Sequence, residues 1–147
     1  MNQCIIFFTD GVLRILLPIV NIDQSLRQII ESDIPKDIEY KIINLNELPK
    51  DRTFRDAWKM DLTVDMEIAR EIWRDKIRAS RDKALADLDV PYIRALEEDD
   101  KREMQIISNR KQALRLLPRV VDLSLYTNPQ ALKAFWPHEL KEYPHGD

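Results

Sequence analysis

The sequence predicts an α+β fold: a small N-terminal ββαβ module containing a β-hairpin, then a long α-helical hairpin and a short C-terminal helix. Three observations carry this reading. Two β-leaning apolar runs near the N-terminus are separated by Asp10-Gly11. Residues 64–88 contain neither Pro nor Gly and repeat apolar side chains every three or four positions. Pro118 and Asn128-Pro129 then punctuate a shorter, less regular remainder.

The first run is Cys4-Ile5-Ile6-Phe7-Phe8 and the second Val12-Leu13-Arg14-Ile15-Leu16-Leu17. Asp-Gly between them favours the positive φ values of a tight type I′ turn, so the two pair as a hairpin that Pro18 ends. Ser25-Leu26-Arg27-Gln28 has the capping-box form and opens a short helix to about Ser32, stopped by Ile34-Pro35. Tyr40-Lys41-Ile42-Ile43 is the third strand. At least one strand of so small a sheet keeps an open edge, a surface for strand addition.

The stripe Met66, Ala69, Trp73, Ile77, Ser80, Ala84 and Leu88 marks a helix of about 25 residues, roughly 37 Å long at 1.5 Å per residue. Pro91 lacks a backbone donor and implies a kink or restart, with Tyr92 and Leu96 carrying the apolar face onward. Glu97-Glu98-Asp99-Asp100 is the turn, and Asp100 caps a second helix with Met104, Ile107, Leu114 and Leu117 on one face, ending at Pro118. Val120 to Leu125 reads as a strand or a strap, Asn128-Pro129 starts a small helix, and His138 to Asp147 reads as a tail. The expected divisions are therefore a docking module at 1–60, the helical hairpin at 64–118, and a strap, short helix and tail at 119–147.

Composition narrows the function. The chain has 147 residues, 44% hydrophobic and 33% charged, with 23 basic against 26 acidic side chains. That is an ordered chain of one domain or two small ones, without the bulk for a large enzyme with a deep pocket. Two glycines leave little scope for phosphate-cradling loops or nucleophile elbows. One cysteine removes internal disulfides and fits a reducing cytoplasm. No apolar run reaches the length of a membrane span, and Asp10, Gly11 and Arg14 interrupt the stretch that a signal peptide would need.

No catalytic constellation stands out, and no cofactor or metal is expected. His138 and His145 lie seven apart with no ligand cluster near them and read as solvated tail residues. Cys4, inside an apolar strand, reads as a small hydrophobe with a raised pKa. Glu67, Glu71 and Asp75 each precede an arginine by three residues, Arg70, Arg74 and Arg78, the pattern of a solvated helix face. Those arginines are not expected to make a nucleic-acid surface, because residues 65–117 hold 12 basic and 12 acidic side chains and no aromatic residues interleave with the arginines as stacking platforms. The three tryptophans, Trp58, Trp73 and Trp136, read either as core or as anchors of a partner interface.

Four segments carry a resemblance. They are Trp73-Arg74-Asp75 with Arg78 and Arg81; Leu88-Asp89-Val90 with Tyr92 and Ala95; Lys111-Gln112-Ala113-Leu114-Arg115; and Pro129 with Leu132-Lys133 and Trp136-Pro137. In this order they resemble a helical-hairpin module of small tail-region proteins of tailed bacteriophages, similar to tail fibre assembly chaperones and to terminal segments of tail fibre proteins. Leu48-Pro49, Asp51-Arg52-Thr53-Phe54-Arg55 and Ala57-Trp58 look like the end of a module that often precedes it. Leu116 stands where the pattern usually has Asp, and Trp73 where His is common; both departures add apolar surface.

The resemblance implies a non-enzymatic tail protein. It would bind a tail or tail-fibre component as a virion piece or as an assembly chaperone, in the host bacterial cytoplasm during assembly or in the mature tail. A general oligomeric interaction module unrelated to phage is the alternative. A small hairpin is not expected to bury the whole stripe itself, which points to dimeric or trimeric self-association or capture of a partner. The expected partner-binding residues are Arg52, Arg55, Trp58, Trp73, Ile77, Leu114, Phe135 and Trp136, with no nucleic-acid or membrane partner. On that reading, Trp73→Ala with Ile77→Ala weakens assembly and spares secondary structure.

Overall fold

A computed structural model describes residues 2–18 and 26–145. The expected cap at Ser25 lies outside the described residues. The chain divides into two compact units, Met1–Ala69 and Arg70–Asp147. The expected third zone is not separate, because residues 119–147 belong to the same unit as the hairpin.

In the first unit, β1 (Gln3–Thr9), β2 (Val12–Leu16) and β3 (Tyr40–Asn44) form an antiparallel sheet in the order β2-β1-β3. Asp10 (φ 53°) and Gly11 (φ 75°) take the left-handed conformations that a two-residue primed turn requires. The central strand is continuously apolar because it is covered on both faces. Cys4 and Ile6 pack with Leu13, Leu48 and Trp58 on one side. Ile5 and Phe7 pack on the other with Ile29 and Ile34, from α1 (Leu26–Asp33) and the turn after it. Alternation of side chains along β1 sorts them between two small cores. β2 and β3 are both sheet edges.

A loop returns beneath the sheet to present Trp58. Asp51 accepts from the backbone and hydroxyl of Thr53, at 3.0 and 2.6 Å, and Asp61 repeats the arrangement with Thr63, at 3.0 and 2.5 Å. Trp58 bridges to Val64, and Asp65 accepts from the amides of Glu67 and Ile68 at the start of α2 (Met66–Asp87).

The helices largely follow the expected order. α2 ends at Asp87, and a new helix, α3 (Asp89–Glu97), starts beyond Leu88 with Pro91 in its first turn, where a missing amide disrupts least. The expected turn holds Asp99 at φ 50°, and the Asp100 amide donates back to the Ala95 carbonyl at 2.9 Å. Asp100 then caps α4 (Lys101–Val120) by accepting from the Glu103 amide at 3.0 Å. Pro118 does not end that helix, which runs to Val120. A proline in the last turn forfeits one hydrogen bond, and the Val121 amide still donates to Leu117 at 3.1 Å. Lys111 of α4 pairs with Asp89 at 2.5 Å and lies over the Tyr92 ring at 5.3 Å, which ties α4 to α3.

Val120 to Leu125 forms no strand; a 3-10 turn at Leu123–Leu125 buries Leu123 completely. α5 (Pro129–Ala134) is capped by Asn128, whose side chain accepts from the Ala131 amide at 2.8 Å. The expected free tail is instead structured as far as His145, with a 3-10 turn at His138–Leu140 and Leu140 fully buried.

Candidate functional site

The second unit closes around Trp73. This side chain is fully buried, and its indole N–H donates to the carbonyl of Phe135 at 3.0 Å. Trp136 meets it edge-on, with ring centroids 5.7 Å apart and planes at 80°. The Trp136 indole N–H in turn donates to the carbonyl of Leu140 at 3.0 Å. His145 lies 4.6 Å from the Trp73 ring and 5.1 Å from that of Trp136. His145 is therefore not a solvated tail residue, because the two indoles give its ring an apolar seat.

Polar bonds fasten the chain that follows α4 to α2 at both ends. Arg70 donates to the carbonyls of Leu123 at 3.2 Å and Tyr126 at 2.9 Å. Of the three expected i,i+3 ion pairs, Arg74–Glu71 and Arg78–Asp75 form, whereas the Arg70 guanidinium turns to these carbonyls. Asp122 accepts from the Ser124 hydroxyl at 2.6 Å and amide at 3.0 Å; those bonds hold its carboxyl below the usual carboxylate range. Tyr143 donates to Asp87 at 2.8 Å, and that bond pushes the Tyr143 phenol above its ordinary value.

The eight residues expected at a partner interface take two kinds of position. Trp58 is buried in the first unit, with the Arg52 guanidinium 5.4 Å above its ring, while Arg52 and Arg55 are exposed. Trp73, Ile77 and Leu114 are buried in the second unit. Phe135 and Trp136 are half-buried, Phe135 stacking on Tyr126 at 4.9 Å. The expectation that the hairpin leaves its stripe uncovered is corrected for Trp73, Ile77 and Ala84, which are buried; around Trp73 the covering comes from this chain's own Phe135–His145 segment.

The exposed apolar side chains of α3 and α4 share only Leu96 with the expected face, which it was expected to carry onward. Val90 (56%), Ile93 and Leu96 (55%) stand out from α3, and Ile106, Leu116 and Val120 (69%) from α4. They are out of phase with the buried positions Ala95, Ile107, Leu114 and Leu117. Single exposed apolar residues are ordinary, but two sets at helical spacing form faces. The sequence signal for them was present in Leu116 and in the second apolar phase of α4.

Burial pushes the Cys4 thiol up, with Glu47 acting in the same direction and Arg52 opposing, as befits a small hydrophobe inside β1. Among the described residues no group of three His, Cys, Asp or Glu side chains is placed to hold a metal ion, and no helix is long and apolar enough to cross a membrane. A shallow groove of about 200 Å3 beside α4 is lined by Arg110, Leu114, His138 and Glu142 among others, and the Arg110–Glu142 ion pair spans 3.6 Å. Comparison with protein-family models, curated proteins and solved structures finds no match to this chain.

Proposed function

We propose that the chain is a non-enzymatic protein of a bacteriophage tail that binds a tail or tail-fibre component through its helical hairpin, either as a piece of the virion or as an assembly chaperone. The observation that carries the binding role is the exposed apolar set on α3 and α4, presented by helices whose inner face is occupied by the chain's own core. A rigid platform with unmatched apolar side chains gains free energy by covering them, and little ordering entropy is lost because the helices are already formed. The phage assignment is supported by the ordered segments from Trp73 to Pro137. On this reading the protein acts in the host bacterial cytoplasm during assembly, and in the tail if it is retained there.

The test is quantitative mass spectrometry of purified particles and of infected-cell lysate from the phage that encodes it. A fixed stoichiometry in particles is the result expected of a tail component. Abundance in lysate alone, with co-purification of a fibre protein, is the result expected of a chaperone. Absence from particles together with failure to co-purify any tail or fibre protein overturns the proposal.

A further inference from the structure

Charge in the hairpin is balanced by count but segregated by helix. Residues 89–100, comprising α3 and the turn, carry five acidic side chains and one basic; residues 101–120, comprising α4, carry six basic and one acidic. Four of the five acidic side chains, Glu97 to Asp100, gather at the C-terminal end of α3 and in the turn, so that end of the α3 face and the α4 face are flanked by charges of opposite sign. On α3, Val90, Ile93 and Leu96 lie within about 120° of the circumference at 100° per residue; Glu97 falls inside that arc, as does Asp89, which pairs with Lys111 of its own chain, and Arg94 borders it about 40° beyond Val90. On α4, Leu116 and Val120 are one turn apart and are bordered by Arg119 and Arg115. Glu97, Glu98, Arg115 and Arg119 are all exposed, and no salt bridge among the described residues engages them.

We propose that these two faces are complementary halves of one self-interface: the acidic apolar face of α3 docks on the basic apolar face of α4 in a second copy of the chain. The occupant is a second copy because the complementary surface is present in this same chain. A basic α4 face repels another α4, and an acidic α3 face repels another α3, so only the crossed pairing is favourable. Two copies related by a two-fold axis make the crossed contact twice, which closes the assembly at a dimer. Each apolar face is short, and doubling the contact covers both faces on both chains. The inference uses the exposed faces of the preceding section but does not rest on the phage assignment; a tail component would compete for the same side chains.

The experiment is sedimentation velocity of the full chain across a concentration series, on the wild type and two charge-reversed variants, Glu97→Lys/Glu98→Lys and Arg115→Glu/Arg119→Glu. Circular dichroism checks that each variant keeps its helices. The wild type is expected to dimerise, with a dissociation constant rising at least about tenfold as salt is raised to shorten the screening length to roughly 3 Å. Each variant alone is expected to be monomeric, because both of its faces then carry the same sign. An equimolar mixture is expected to recover the dimer, since the two variants are complementary to each other. A wild type that stays monomeric up to about 100 µM overturns the proposal. So does a variant that dimerises like the wild type, the result expected if these charges act only within their own chain, or a mixture that does not recover. Should a variant lose its helices, the salt dependence of the wild type decides alone: a salt-insensitive dimer overturns the crossed pairing. None of these results bears on the virion measurement.

Discussion

A tryptophan is buried at low penalty where its indole N–H finds an acceptor, and the Phe135 carbonyl supplies one for Trp73 at 3.0 Å. Periodicity alone marks Trp73 as apolar and inward-facing but does not say what covers it, and the covering segment lies more than 60 residues away. From the sequence it is therefore open to both readings, core and anchor. Given the burial, Trp73→Ala is expected to destabilise the second unit by about 3–5 kcal/mol. This should be read as a lowered urea midpoint with loss of helix, in place of an assembly defect with the helices intact.

The tail offers a gentler probe at the same scale. Because the Tyr143 pKa is raised by its bond to Asp87, the contribution of that contact is fully present below the ordinary phenol value of about 10 and is lost as pH rises through the folded value. A tryptophan-fluorescence titration from neutral to alkaline pH is expected to show this release in the wild type, reported by Trp136 and Trp73. Tyr143→Phe is expected to lack that step, and identical curves would refute the link. Asp122 has the opposite sign. Its lowered pKa means that the turn is stabilised above the ordinary carboxylate range and loses that support as pH falls through the folded value.

Among the elements, the turns test what local chemistry dictates. Gly11 has φ 75° with nothing within 4 Å of where a Cβ would stand, so Gly11→Ala carries only backbone strain, about 1–2 kcal/mol. Thermal denaturation of the first unit should show that loss without a change of fold. Asp99 holds the left-handed position that closes α3, a place usually taken by Gly. Asp99→Gly is expected to raise stability by about 0.5–1 kcal/mol, measured by chemical denaturation.

The strands, the Asp10-Gly11 turn, the break at Pro91 and the Asp100 cap were legible because each depends on residues within a few positions. Pro118 was misread as a stop because the penalty of a proline depends on how many helical bonds follow it. Arg70 was misread as half of an ion pair because its carbonyl acceptors, Leu123 and Tyr126, are remote in sequence. The α3 and α4 faces do not show in the charge balance of 65–117, because that window averages the acidic stretch 89–100 with a basic α4.

For the whole molecule, the two compact units predict separable responses to truncation. Deleting residues 136–147 removes Trp136, Leu140 and His145, exposing Trp73 and the Leu140 site. Hydrogen exchange is expected to show lost protection in α2 beyond Arg70 and in α4, with β1 amides unchanged. Equal loss in β1 would refute the separation.

The long return of the C-terminal segment also orders events in time. β1, β2 and β3 are complete once residue 44 is made, whereas Trp73 awaits a carbonyl at 135 and rings at 136 and 145. During synthesis the first unit is able to close early. The second must wait, its helices formed but its central indole uncovered, until residues 135–145 have left the ribosome. That interval is when the nascent chain is most open to chaperones, to proteases and to aggregation with its neighbours on the same message.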